Sequence, residues 1–87
     1  MSTSYRVEIA RRALKALAAL PRKEQQRVRG AIDLLADTPR PPGCVAMRGE
    51  KSTYRVRVGD DRIVYEVHDI VLRIQVVRIG HRREVYR

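Results

Sequence analysis

Residues 38–43, TPRPPG, divide the chain into two stretches with different hydrophobic periods. Prolines there fix φ, remove N–H donors and push the preceding residue out of the helical region, so the segment stops a helix and acts as a stiff connector. Before it, apolar residues recur at helical spacing; after it, they alternate. That order gives an α+β architecture, one antiparallel-rich sheet with helices on one face.

Residues 4–9 (SYRVEI) predict a short strand, with Tyr5, Val7 and Ile9 alternating against Arg6 and Glu8. Helical spacing then takes over at Ile9, Ala13, Ala16, Leu17 and Leu20. Pro21 breaks this helix and opens the next, which runs through about residue 37. Its buried stripe is Val28, Ala31, Ile32 and Leu35, and Lys23, Glu24, Arg27 and Arg29 form the wet side. Residues 10–37 thus read as a helical hairpin.

Beyond the connector, residues 44–48 predict a strand and Gly49–Ser52 a turn. Residues 53–58 (TYRVRV) place Tyr54, Val56 and Val58 on one face and Arg55 and Arg57 on the other. Residues 62–68 (RIVYEVH) alternate again, after a Gly59–Asp60–Asp61 turn. With Asp60–Asp61 as a two-residue turn, Val58 faces Ile63, Val56 faces Tyr65 and Tyr54 faces Val67. Arg55, Arg57 and Arg62 then share the opposite face, with Glu66 across from Arg55. Residues 71–79 (VLRIQVVRI) are the longest apolar run, expected to be a central strand buried on much of both faces and broken by Gly80. The N-terminal strand is expected to pair beside it.

Eighty-seven residues predict one domain spanning 1–87. Hydrophobic residues make up 44%, which argues against wholesale disorder. The single Cys44 excludes an internal disulfide framework and a multi-cysteine zinc site. No apolar run approaches the ~20 residues that span a bilayer, and MSTSYRVEIARR lacks the apolar stretch of a signal peptide. The expected location is the cytoplasm, with no membrane partner. The formal charge is +9, and arginines outnumber lysines sixteen to three. Arginine forks grip phosphate bidentately and stack on bases, so the excess points to RNA, DNA or an acidic protein.

Two features carry candidate chemistry. The Arg55, Arg57 and Arg62 face is either a solvated sheet face or a phosphate clamp that stabilises charge developing on a phosphate. The tail with His81, Arg82, Arg83 and Tyr86 is either a frayed basic terminus or a second part of that site. In it, Tyr86 offers a stacking platform and His81 a group suited to proton transfer near neutrality. There is no glycine-rich phosphate loop and no GxSxG elbow, and His68 and His81 lack metal-ligand spacing. No metal and no cofactor are expected. Cys44 reads as a packing residue and His68 as an exposed structural one.

YRVRVGDDRIVYEV, the strand VLRIQVVRIG and the ending GHRREVY together resemble the RelE branch of the RelE/ParE toxin superfamily. The likeness extends over almost the whole chain and includes Met47-Arg48-Gly49. It implies a RelE-like fold: an N-terminal strand, a helical hairpin, then a three- to four-stranded antiparallel-rich sheet. It also implies the toxin of a type II toxin–antitoxin module, a ribosome-dependent mRNA endoribonuclease that cuts the A-site codon without a metal. In such enzymes the RNA 2′-hydroxyl attacks the adjacent phosphate, leaving a 2′,3′-cyclic phosphate and a 5′-hydroxyl. The resemblance assigns catalysis to Arg62, Arg82 and Tyr86, and His81 joins them as a candidate for the proton transfer. It matches Arg55 and Arg57 to the family's two basic strand residues, and Arg83, Arg48 and Lys51 are expected to bind RNA beside them. The implied partners are a RelB-like antitoxin, the ribosome with its mRNA, and operator DNA only through the antitoxin. Asp61 stands where the family often has tyrosine, and beside a phosphate its charge is tolerable only if it points away. Two alternatives stay open: a ParE-like toxin that inhibits DNA gyrase by binding, and a non-catalytic RNA- or ribosome-binding protein.

Overall fold

The computed structural model describes residues 4–81. In chain order they form β1 (Arg6–Ile9), α1 (Arg11–Ala19), α2 (Arg22–Leu35), β2 (Val45–Ala46), β3 (Thr53–Val58), β4 (Asp61–His68) and β5 (Arg73–His81). The sheet order is β1-β5-β4-β3-β2. β1 lies beside β5, as expected, and runs parallel to it, while every other pair is antiparallel.

The helices end where the sequence indicates. Pro21 separates α1 from α2 in an extended conformation, and neither helix has a side-chain N-cap. Gln25 closes the corner instead: its Nε2 donates to the carbonyls of Ala18 and Leu20 at 3.0 and 2.9 Å. These carbonyls at the end of α1 otherwise have no partner within the helix. Both helices cover one face of the sheet. Ala13 and Leu17 of α1 and Val28, Ile32 and Leu35 of α2 pack with Ile63, Tyr65, Val67, Ile74, Val76 and Ile79. Tyr65 is fully buried, and its hydroxyl donates to the Pro39 carbonyl at 2.8 Å. Burial, then the neighbouring Cys44, pushes this phenol well above its ordinary range.

The connector is also held by charge. Arg40 forms a two-pronged pair with Asp69, at 2.8 and 3.3 Å, and donates from Nε to the Tyr54 hydroxyl at 2.9 Å. The Tyr5 hydroxyl donates to the same Asp69 at 2.7 Å. One carboxylate thus ties the start of the chain, the connector and the β4–β5 turn together.

Several boundaries differ from the sequence reading. The β3–β4 turn is Gly59–Asp60, so Val58 pairs with Asp61, Val56 with Ile63 and Tyr54 with Tyr65. Gly59 has φ +62, and positive φ at the first central position of a two-residue turn favours glycine. The register therefore slides by two residues. A slide of two keeps every side chain on its expected face. Its consequence is that Glu66 lies across from Thr53, and Arg55 from Val64. The strand expected over 44–48 shrinks to two residues.

β5 begins at Arg73, because Ile70, Val71 and Leu72 lie exposed in a turn whose Leu72 has φ +53. It is not buried on both faces: Ile74, Val76 and Ile79 are buried, while Arg73, Gln75 and Arg78 are half-buried. The most enclosed strand is β4 at the centre, buried from Asp61 through Tyr65. Gly80 does not break β5 but pairs with Arg62.

Candidate functional site

Side chains alternate across a strand, so the face away from the helices is defined by register. On β4 it carries Arg62, Val64, Glu66 and His68. Arg62 has Arg57 on one side and Gly80 on the other; Val64 has Arg55 and Arg78; Glu66 has Thr53 and Gln75; His68 has Arg73. Val45 of β2 lies beside Arg55. Four arginines, at 55, 57, 62 and 78, thus occupy two adjacent rows.

Arg55, Arg57 and Arg62 line a pocket of about 180 Å³ with Gly43 and Val45. Arg62 is buried and donates from Nη1 to the Asp61 carbonyl at 3.2 Å. Arg57 is exposed, and its Nε donates to the Gly59 carbonyl at 3.0 Å, which fixes the side chain against the turn. Guanidinium groups converging on one pocket offer planar donors to an anion, the geometry that suits a phosphate.

Asp61, directly before Arg62, belongs to the other side of the sheet. It is 2% exposed, and its Oδ1 is buried with no hydrogen-bond partner. It lines a larger cavity of about 670 Å³ between the first turn of α2 and the β3–β4 turn, together with Glu24 and Arg27. Burial, and then the hydrogen-bonded Glu24 carboxyl, push Asp61 up to about 6; His81 pulls it the other way. Asp61 thus belongs to the helix side, and of the three pocket arginines Arg57 alone also lines this cavity.

The structure brings Arg55, Arg57 and Arg62 together. His81 pairs with Asp61, which puts it on the helix-facing side of β5, across the sheet from the arginines. Arg48 and Lys51 are exposed in the β2–β3 connection, at the Thr53 end of β3 and so away from Arg57 and Arg62. Arg82, Arg83 and Tyr86 lie outside the described residues. Arg78 is the residue that sequence reasoning missed. Its signal was hidden because it sits inside an apolar run and reaches the open face only through a shift in register between Val64 and Tyr65.

A family model for the ParE toxin of type II toxin–antitoxin systems (parDE) matches residues 7–86. Among solved structures, the chain is similar to the archaeal RelE–RelB complex from Pyrococcus horikoshii OT3. It is 30% identical there, with a TM-score of 0.82, covering 91% of this chain and 96% of that one. The isolated E. coli RelE toxin is 25% identical with a TM-score of 0.80, over 95% of this chain and 92% of that one. The RelBE2 toxin–antitoxin complex from Mycobacterium tuberculosis, 24% identical over 94% of this chain and 95% of that one, shares the fold with a TM-score of 0.82. No curated protein matches the sequence. These matches agree with the superfamily that residues 54–67, 71–80 and 80–86 together resemble, and with an α+β fold of two helices and a five-stranded sheet.

Proposed function

This chain belongs to the ParE toxin family of type II toxin–antitoxin systems, and from that premise we propose that it is a ribosome-dependent mRNA endoribonuclease. The observation that carries the reading is the convergence of Arg55, Arg57 and Arg62 on one pocket of the sheet face away from the helices. In the proposed reaction the 2′-hydroxyl oxygen bonds to the adjacent phosphorus and the bond to the 5′-oxygen breaks. The 2′ proton leaves to a base, and a proton returns to the departing 5′-oxygen. Negative charge builds on the phosphoryl oxygens in between. Arg62, enclosed and aimed at the pocket, stabilises that charge, and Arg57 and Arg55 hold the flanking backbone. Low local water strengthens such contacts over their value in bulk solvent.

Arg82, Arg83 and Tyr86 enter this reading through sequence resemblance, as phosphate contacts and a base-stacking platform. Proton transfer falls to Tyr86 rather than His81, because His81 pairs with Asp61 on the helix-facing side. Arg48 and Lys51 act as peripheral RNA contacts. The partner we propose is a RelB-like antitoxin, as in the complexes with which the chain shares its fold. Operator DNA is reached only through that antitoxin.

Primer extension on a defined mRNA in programmed ribosomes tests the reading. The expected result is a cut inside the A-site codon that is absent on naked RNA. The second reading is inhibition of DNA gyrase by binding, kept because the matching family model is that of ParE toxins. Intact mRNA together with loss of supercoiling activity would establish it.

Among the described residues, no helix is long and apolar enough to cross a membrane.

A further inference from the structure

The face away from the helices is not uniformly basic. Along β4 three bands follow one another. The arginine rows come first. Then comes a row of Thr53, Glu66 and Gln75, continued on β1 by Glu8. The last row holds His68 and Arg73, continued by Arg6. Neighbouring rows are two residues apart along a strand, or ~7 Å. Glu66 therefore stands one row from Arg55 and Arg78, and two rows from Arg62.

Glu66 Oε1 and His68 Nε2 are 2.9 Å apart. With the proton on Nε2, His68 donates to Glu66 and fixes its carboxylate. The two side chains are 38% and 36% exposed, so this is not a sealed structural pair. A carboxylate repels the phosphates that the neighbouring arginines attract, so its use on this face is not a backbone contact. What a carboxylate does recognise in RNA is an N–H on a base edge. Cytosine, adenine and guanine present exocyclic amines, whereas uracil flanks its single N–H with two carbonyl oxygens.

We propose that Glu66, oriented by His68, is a specificity-determining residue that reads the base flanking the cleaved phosphate and selects amine-bearing bases over uracil. The inference rests on the nuclease reading above. Gln75 completes the row with a neutral amide, while the buried Thr53 hydroxyl donates to the Lys51 carbonyl at 3.2 Å. His68 is a positioning residue: it acts on the base through Glu66.

The test uses the full chain with programmed ribosomes and mRNAs that differ at single bases on either side of the cut. Wild-type protein is expected to disfavour uracil at one flanking position. Glu66→Gln replaces one acceptor with a donor and keeps the shape, and should lower that discrimination roughly tenfold. His68→Ala should lower the same ratio in part. Arg62→Ala should instead slow every substrate alike. A thermal melt confirms that the Glu66→Gln variant is folded. If that variant cuts with the wild-type base ratios, or slows all substrates equally, the inference is overturned while the nuclease reading stands. If wild-type protein cuts none of the mRNAs, the nuclease reading falls and this inference falls with it.

Discussion

Replacing Asp61 with asparagine should stabilise the protein at neutral pH and not at acid pH. Asp61 is buried under the first turn of α2, beside Glu24, with one oxygen lacking a partner. Its carboxyl titrates at about 6 in the fold against 3.8 for the free side chain, chiefly because burial penalises the charged form. Between those two values the folded protein keeps a proton that the unfolded chain has released. Stability contributed by this group is therefore present below pH 3.8 and is lost as the pH rises through about 6. That difference corresponds to roughly 2–3 kcal/mol of destabilisation once the group is ionised. An asparagine at this position would carry no charge at any pH and would relieve the repulsion with Glu24. Urea unfolding of both proteins should thus show a variant more stable by roughly 1–3 kcal/mol at pH 7.5. The gap should close on approaching pH 4, where wild-type Asp61 is also protonated. A variant less stable at pH 7.5, or a gap that does not change with pH, would refute the assignment of Asp61 as a strained buried acid. Because the Arg62 guanidinium bonds to the Asp61 backbone carbonyl and not to its side chain, the arginine pocket should be unaltered.

Three further outcomes follow from particular contacts. Arg62→Ala should reduce mRNA cleavage by roughly a hundredfold or more, the scale of removing one preorganised donor from developing charge. Growth arrest persisting at equal expression would place the charge stabilisation elsewhere. Tyr65→Phe removes the hydroxyl that donates to Pro39 at 2.8 Å and should cost about 1–2 kcal/mol, read as a lower urea midpoint with unchanged slope. The Arg40 pair, followed by the Tyr5 hydrogen bond, holds the Asp69 carboxyl below its ordinary value of 3.8. Its stabilising effect is thus present above that pH and fades as the pH falls through the folded value. Asp69→Asn should accordingly melt lower than wild type at pH 7, with the difference shrinking in acid.

Much of this arrangement was legible in the sequence because it depends on period rather than on exact pairing. Alternation in TYRVRV and RIVYEVH put Arg55, Arg57 and Arg62 on one face under either register, since a slide of two residues leaves faces unchanged. Val28, Ile32 and Leu35 are buried as their helical spacing required. The turn was misplaced by one residue because GDD offers two alternative two-residue turns, and the choice rests on the φ of Gly59. The latch of Arg40, Asp69, Tyr5 and Tyr54 was invisible, because its members lie up to 64 residues apart and belong to no local pattern. The burial of Asp61 was equally hidden. Only the packing of α2 over that end of the sheet turns an aspartate from a turn residue into an enclosed one.

The make-up of the arginine face turns on a single irregularity in β5. Ile74 and Val76 face the helices, and strict alternation would send Arg78 and Gly80 after them, leaving Ile79 and His81 on the open side. The pairing instead jumps from Val76 opposite Tyr65 to Arg78 opposite Val64, so Val77 has no partner across the strand. An extra residue of this kind resets which side the following residues face. It returns Ile79 to the core, where it is buried, and moves Arg78 into the row of Arg55. It also seats Gly80 beside Arg62. The same shift takes His81 away from the arginines and sets it against Asp61. Gain of one arginine and removal of the histidine are thus two results of one bulge. That coupling is why the arginine face read from the sequence lacked Arg78, and why the tail's His81 lies on the helix side.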